Sequence, residues 1–90
     1  MRSLRHIVLQ VLALHTRRHA SSLHPWQELD GDLDMTPLEV VLVAMEIEGI
    51  EDVDIDVTGL DEVKTVGEAL AFFEREVPRA RQARIVDDVA

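Results

Sequence analysis

The sequence predicts an all-α protein, a small bundle of three main helices and one short helix. Three observations lead there. Thr36-Pro37-Leu38-Glu39 and Thr65-Val66-Gly67-Glu68 are both helix-start signatures, with threonine as N-cap and glutamate at the third helical position. In the first of them, proline adds a preset backbone angle at the first helical position. Leu4, Ile7, Val8, Val11, Leu12 and His15 recur at three- and four-residue spacing, the stripe of an amphipathic helix. The one alternating segment, Asp52-Val53-Asp54-Ile55-Asp56-Val57, has no second strand to pair with, and a lone strand leaves its backbone groups unsatisfied.

The first helix is expected over residues 3–18, with Ser3 as N-cap and Arg17, Arg18 and His19 near its end complementing the helix dipole. Ala20 to Gly31 reads as a long connection, with Ser21, Ser22, Pro25 and Gly31 as loop signals and Trp26 and Leu29 as anchors to the core. The second helix is expected from Pro37 to Glu48, stopped by Gly49 as C-cap. Its run of Leu38, Val40, Val41, Leu42, Val43, Ala44, Met45 and Ile47 is almost wholly apolar, which makes it the central helix. The alternating segment becomes extended loop with Ile55 turned inward. Thr58 to Val63 is expected to form the short helical turn, with Leu60 and Val63 inward. The last helix buries Val66, Ala69, Leu70, Phe73 and Val77 and ends before Pro78. Residues 1–78 therefore form one domain, and residues 79–90 a tail, either frayed helix or disordered.

Ninety residues, 47% hydrophobic and 30% charged, suit a single globular domain with a modest core. No cysteine is present, which excludes disulfides and thiolate metal sites. The longest apolar run is too short to span a bilayer. The N-terminal stretch is interrupted by His6 and Gln10 and lacks a small-residue cleavage site, so a cytoplasmic protein is expected. The net charge of −9 is segregated: residues 1–20 contain no acid, and residues 28–62 contain no base. So acidic a surface repels nucleic acid. It suits either solubility or a partner with basic patches.

The run Asp32-Leu33-Asp34-Met35-Thr36-Pro37-Leu38-Glu39 resembles the acyl carrier protein family, which there reads D-L-G-x-D-S-L-D. The similarity runs without gaps from about Glu28 to Phe73. Val41, Val43 and Ile47 fall on the family's buried helix positions, Glu48 on its glutamate, Ile55 on its isoleucine and Thr65-Val66 on its T-V pair. The resemblance implies a four-helix carrier-protein fold. In that family the serine of D-S-L carries 4'-phosphopantetheine, and here Pro37 stands in its place. Thr36 is the only nearby hydroxyl, one position early, and is expected to be occupied as the N-cap; the serines, Ser3, Ser21 and Ser22, all lie upstream. The expectation is a homologue that keeps the helix and lacks the prosthetic group: no cofactor, no metal and no enzymatic activity. The alternatives are an acyl carrier with an unconventional attachment residue and a structural or regulatory domain that shares the fold.

Other chemistry is thin. Asp30-x-Asp32-x-Asp34 starts like a calcium loop, but Met35 replaces the required glycine and Val41 the bidentate glutamate. His15 and His19 lie one helical turn apart without a third ligand at helical spacing, although His24 could fold back, and zinc needs three or four. With Val41, Val43, Ala44 and Ile47 taken as the buried face of the second helix, Leu38, Leu42 and Met45 share the opposite side at i, i+4, i+7 spacing. Glu39 and Glu46 flank them. These five residues are the expected partner-binding surface. The resemblance implies an acyl-metabolism enzyme with a basic or apolar docking patch as partner, in fatty-acid, polyketide or related acyl metabolism; a second copy of this chain is the other candidate. The competing possibility is that the basic first helix, or Ile85 and Val86 of the tail, covers the ridge.

Overall fold

Each helix starts where a side chain can satisfy the free N–H groups of a first turn. Ser3 Oγ accepts from His6 N at 3.1 Å and opens α1, Leu4–Thr16. Thr36 Oγ1 accepts from Glu39 N at 3.2 Å, while Glu39 Oε1 accepts from Thr36 N at 3.1 Å, closing a complete capping box for α2, Pro37–Glu51. The Thr65–Glu68 box is likewise closed in both directions at 3.1 Å and opens α3, Val66–Val89. These bounds come from a computed structural model that describes the backbone of residues 2–89 and the side chains of residues 2–83.

The protein is all-helical among the described residues, with three α-helices and two single 3-10 turns, Ala20–Ser22 and Leu60–Glu62. The second turn lies within the stretch expected to form the short helix, but it is a single three-residue 3-10 turn. No strand forms among the described residues; the only sheet-like pairing is an isolated antiparallel bridge between Glu28 and Thr65. The core gathers Val8 and Leu12 of α1, Val43 and Ile47 of α2, and Val66, Phe73 and Val77 of α3, all fully buried. Each pair of helices is also joined by one charged contact: Arg5–Glu74 at 3.1 Å, His15–Glu46 at 3.6 Å and Arg81–Glu51 at 2.9 Å. The exposed pair among them, Arg5–Glu74, contributes at most about 1 kcal/mol. The apolar core carries the fold.

The loop after α1 is stitched to the start of α3 by backbone groups. Leu29 N donates to Lys64 O at 2.8 Å, Val66 N to Gln27 O at 3.0 Å and Gly67 N to Pro25 O at 2.9 Å. Leu29, Leu33 and Met35 are thereby buried. Trp26 is not an anchor as expected. It is 69% exposed and stacks on His24, with ring centroids 5.5 Å apart. Its neighbours Pro25 and Gln27 are fixed through their carbonyls, so the loop needs no indole to hold it.

The expected stop at Gly49 is also displaced. α2 runs on to Glu51, and Asp52 takes the left-handed conformation, φ 55°, with its N–H bonded to Glu48 O. A short polar residue can tolerate that conformation, and the Glu51–Arg81 pair ties down the added turn. The following segment, Val53 to Val57, forms neither helix nor strand, and Ile55 is buried, as expected, together with Val53. Its backbone is satisfied locally: Val53 N donates to Glu48 O at 3.2 Å and Ile55 N to Glu48 Oε2 at 2.8 Å.

Finally, α3 does not end before Pro78. Proline removes the donor to the Glu74 carbonyl, but the helix continues across it through residues 79–89, where Arg81 bridges back to α2 and Ala80 packs against the core. Ile85 and Val86, named above as a possible cover for α2, lie outside the residues whose side chains are described.

Two glycines inside helices have opposite surroundings. Nothing lies within 4 Å of where a Cβ would stand on Gly49, whereas on Gly67 it would lie 3.1 Å from Pro25 O and 3.2 Å from Pro25 Cβ. Gly49→Ala is therefore expected to raise stability by about 0.5–1 kcal/mol through lower unfolded-state entropy and better helix propensity. Gly67→Ala is expected to lower stability, because the stitched loop must move to admit the methyl group. Urea unfolding of both variants, read from the midpoint at unchanged m-value, checks the contrast.

Candidate functional site

The first turn of α2 sets the site. Pro37 occupies the first helical position, and Thr36, as expected, is the N-cap. The Thr36 hydroxyl is engaged twice, accepting from Glu39 N and donating to Glu39 Oε1 at 3.1 Å. Glu39 is thus committed to the cap. Glu46, the other acid of the expected surface, faces His15 of α1, whose Nε2 is buried without a hydrogen-bond partner among the described residues.

From that start, α2 divides into two unlike faces. Val43, Ala44 and Ile47 are buried as expected, and Val40 is half-buried beside them. Val41, expected inside, is 43% exposed. At about 100° per residue it lies about 120° from Ile47, whereas Val40 lies only about 20° away. The opposite face carries Leu38, 67% exposed, Leu42, 41% exposed, and Met45, 58% exposed. α1 leaves this ridge uncovered. Gly49 continues the same line, so the series 38, 42, 45, 49 has the four-three-four spacing of a helix-pairing seam.

A cleft opens beside the ridge, and no sequence motif marked it. Pro37, Val40 and Val41 of α2 form one wall, Leu29 and Met35 the floor, and Val57, Leu60 and Val63 the far wall. Its volume is about 480 Å³, and Asp30, Asp61, Thr58 and Lys64 complete the lining. Lys64 is the only lysine or arginine between Arg18 and Arg75, and its Nζ donates to Asp61 O at 3.0 Å. The cleft is assembled from three separate stretches of chain, residues 29–30, 35–41 and 57–64. Only the fold brings them together, through the stitch at Leu29–Lys64 and the buried Ile55 that positions Val57.

Asp56 supports the far wall. Its Oδ1 accepts from the Thr58 hydroxyl at 2.6 Å and from Thr58 N at 3.0 Å. These bonds, the hydroxyl first, hold its carboxyl below the ordinary carboxylate value, with a further contribution from the charge of Arg79.

The other candidates do not converge. Asp32 Oδ2 accepts from Glu28 N at 2.7 Å and Asp30 Oδ1 from Gly31 N at 2.7 Å, so two acids of the calcium-like run shape their own loop. Among the described residues no group of three or more histidines, aspartates or glutamates could hold a metal ion. Likewise, no helix among them is long and apolar enough to cross a membrane. No protein-family model matches the chain, and no curated protein matches it either.

Replacing Thr58 with valine removes the hydroxyl donor. In Thr58→Val the Asp56 carboxyl is expected to titrate at higher pH than in the parent, followed by NMR of the side-chain carboxyl. Because its folded value is depressed, Asp56 adds to stability above its unfolded value and loses that contribution as pH falls through the folded one. The variant should therefore show a weaker loss of stability on acidification.

Proposed function

We propose that this chain is a non-catalytic, acyl-carrier-protein-like four-helix domain that works by docking onto a protein partner in the cytoplasm and carries no phosphopantetheine. The observation that carries the reading is the solvent-facing ridge of Leu38, Leu42 and Met45 on an acidic helix. Small soluble proteins do not commonly align exposed apolar side chains along one helix without a binding role. A core-facing helix would have turned those residues inward, where full burial of each stabilises by about 1.5–3 kcal/mol.

The acids around the ridge give the partner its character. Residues 28–62 contain no base, and Glu39 and Glu46 stand beside the apolar line. A surface with basic residues around an apolar centre complements it in both respects. The likeness of Asp32 to Glu39 and of the downstream spacing to carrier proteins suggests an enzyme of fatty-acid, polyketide or related acyl metabolism. Pro37 at the family's serine position supports action by contact. It has no hydroxyl to modify, and the Thr36 hydroxyl next to it serves the cap.

Two measurements test the proposal. Leu42→Glu is expected to leave the unfolding midpoint within about 0.5 kcal/mol of the parent, as surface changes usually do, and to abolish association with the partner; loss of folding instead would mean that the ridge is core. Intact mass after co-expression with a broad phosphopantetheinyl transferase is expected to stay unchanged. A gain of one phosphopantetheine would make the chain an acyl carrier with an unconventional attachment residue.

A further inference from the structure

The cleft beside Pro37 approaches the ridge through Val41, which lines the cleft and is exposed next to Leu42. We propose that the cleft is the anchor pocket of the docking surface: it receives one apolar side chain presented by a basic helical segment of a partner protein. The inference rests on the docking reading above and names what that surface takes.

Shape and charge both point to this occupant. The lining is mostly apolar, and the volume of about 480 Å³ lies in the range of about 300–1,000 Å³ usual for ligand clefts. Its polar lining carries Asp30, Asp61 and Thr58, the last bonded through its hydroxyl to Asp56 behind it. The one cation there, Lys64, is directed to a backbone carbonyl. An apolar ligand with an anionic head would set its charge against these carboxylates. An apolar side chain flanked by lysine or arginine would meet them as partners. The ridge supplies the rest of the footprint. Leu38, Leu42, Met45 and Gly49 offer a seam along which a helix can lie, and no side chain fills the space at Gly49. A second copy of this chain suits the surface poorly, because pairing α2 with itself would bring Glu39 and Glu46 against their own like. A central apolar anchor in a pocket, surrounded by a charged rim, is the arrangement in which a few residues carry most of the binding energy.

The test uses the full chain, labelled with ¹⁵N, and two synthetic peptides. Both are lysine-flanked amphipathic helices; one carries a single tryptophan on its apolar face and the other an alanine there. The tryptophan peptide is expected to bind at least about tenfold more tightly and to shift the amides of Met35, Val40, Val57 and Leu60 together with those of the ridge. Val41→Asp, at the lip of the cleft, should remove the difference between the peptides; Val57→Asp serves the same purpose if the first variant fails to fold. Equal affinity, with shifts confined to α2, would overturn the anchor pocket while leaving the docking surface intact. Sodium dodecanoate displacing the peptide from the cleft would assign it to an anionic apolar chain instead. Concentration-dependent self-association through α2 would assign it to a second copy. Failure of both peptides to perturb α2 would overturn the docking reading as well.

Discussion

Three backbone hydrogen bonds between the α1–α2 loop and the start of α3 hold the arrangement on which everything else depends. Pro25, Gln27 and Leu29 are tied to Gly67, Val66 and Lys64 within five residues of loop. This stitch does the work that a strand pair would do elsewhere, satisfying donors that open α3 while fixing the loop in space. From it follow the burial of Leu29 and Met35, and the Leu29 carbonyl in turn accepts from Met35 N at 2.8 Å, just before the α2 cap. The first turn of α2 is therefore placed by α3, a segment far away in the chain. The cleft lies between the start of α2 and the Val57–Lys64 segment that contains the 3-10 turn at Leu60–Glu62.

The same constraint explains why α2 can be apolar on nearly every side. One face is buried through Val43, Ala44 and Ile47, and the helix is capped at both ends, by the Thr36–Glu39 box and by Asp52. Its position is secured without help from the outer face. Leu38, Leu42 and Met45 lie outside that buried face and are exposed. Glu48 shows how economically the remaining polar groups are used. One carboxylate secures Ile55 and so the segment that forms the wall beyond the cleft.

Much of the fold was legible in the sequence because its signals are local. Caps read within four residues, as at Ser3, Thr36 and Thr65, and apolar spacing identified most of the buried side chains of α1 and α3, missing Ala13 and Phe72. The inward-turned Ile55 was legible from the lack of any strand to pair with its segment. The misread positions share a different feature: each was decided by a tertiary partner. Trp26 looks like an anchor until neighbouring carbonyls are seen to fix its loop. Gly49 and Pro78 look like helix ends, but Arg81 of the continued α3 pairs with Glu51 of the extended α2, so the two extensions support each other. Val41 and Val40 are chemically identical, and only the true direction of the core separates them. The ridge was legible because it is one helix face. The cleft was not, because its walls come from segments whose meeting no local pattern encodes.

The exposed Trp26 has a practical corollary. It is the sole tryptophan and lies in water against His24, outside the packed interior. Its emission therefore reports on the junction of loop and α3, and only faintly on the melting of the centre. Optical unfolding curves from this chain would follow a surface sentinel, and a disagreement between fluorescence and circular dichroism would mark release of the junction ahead of the helices.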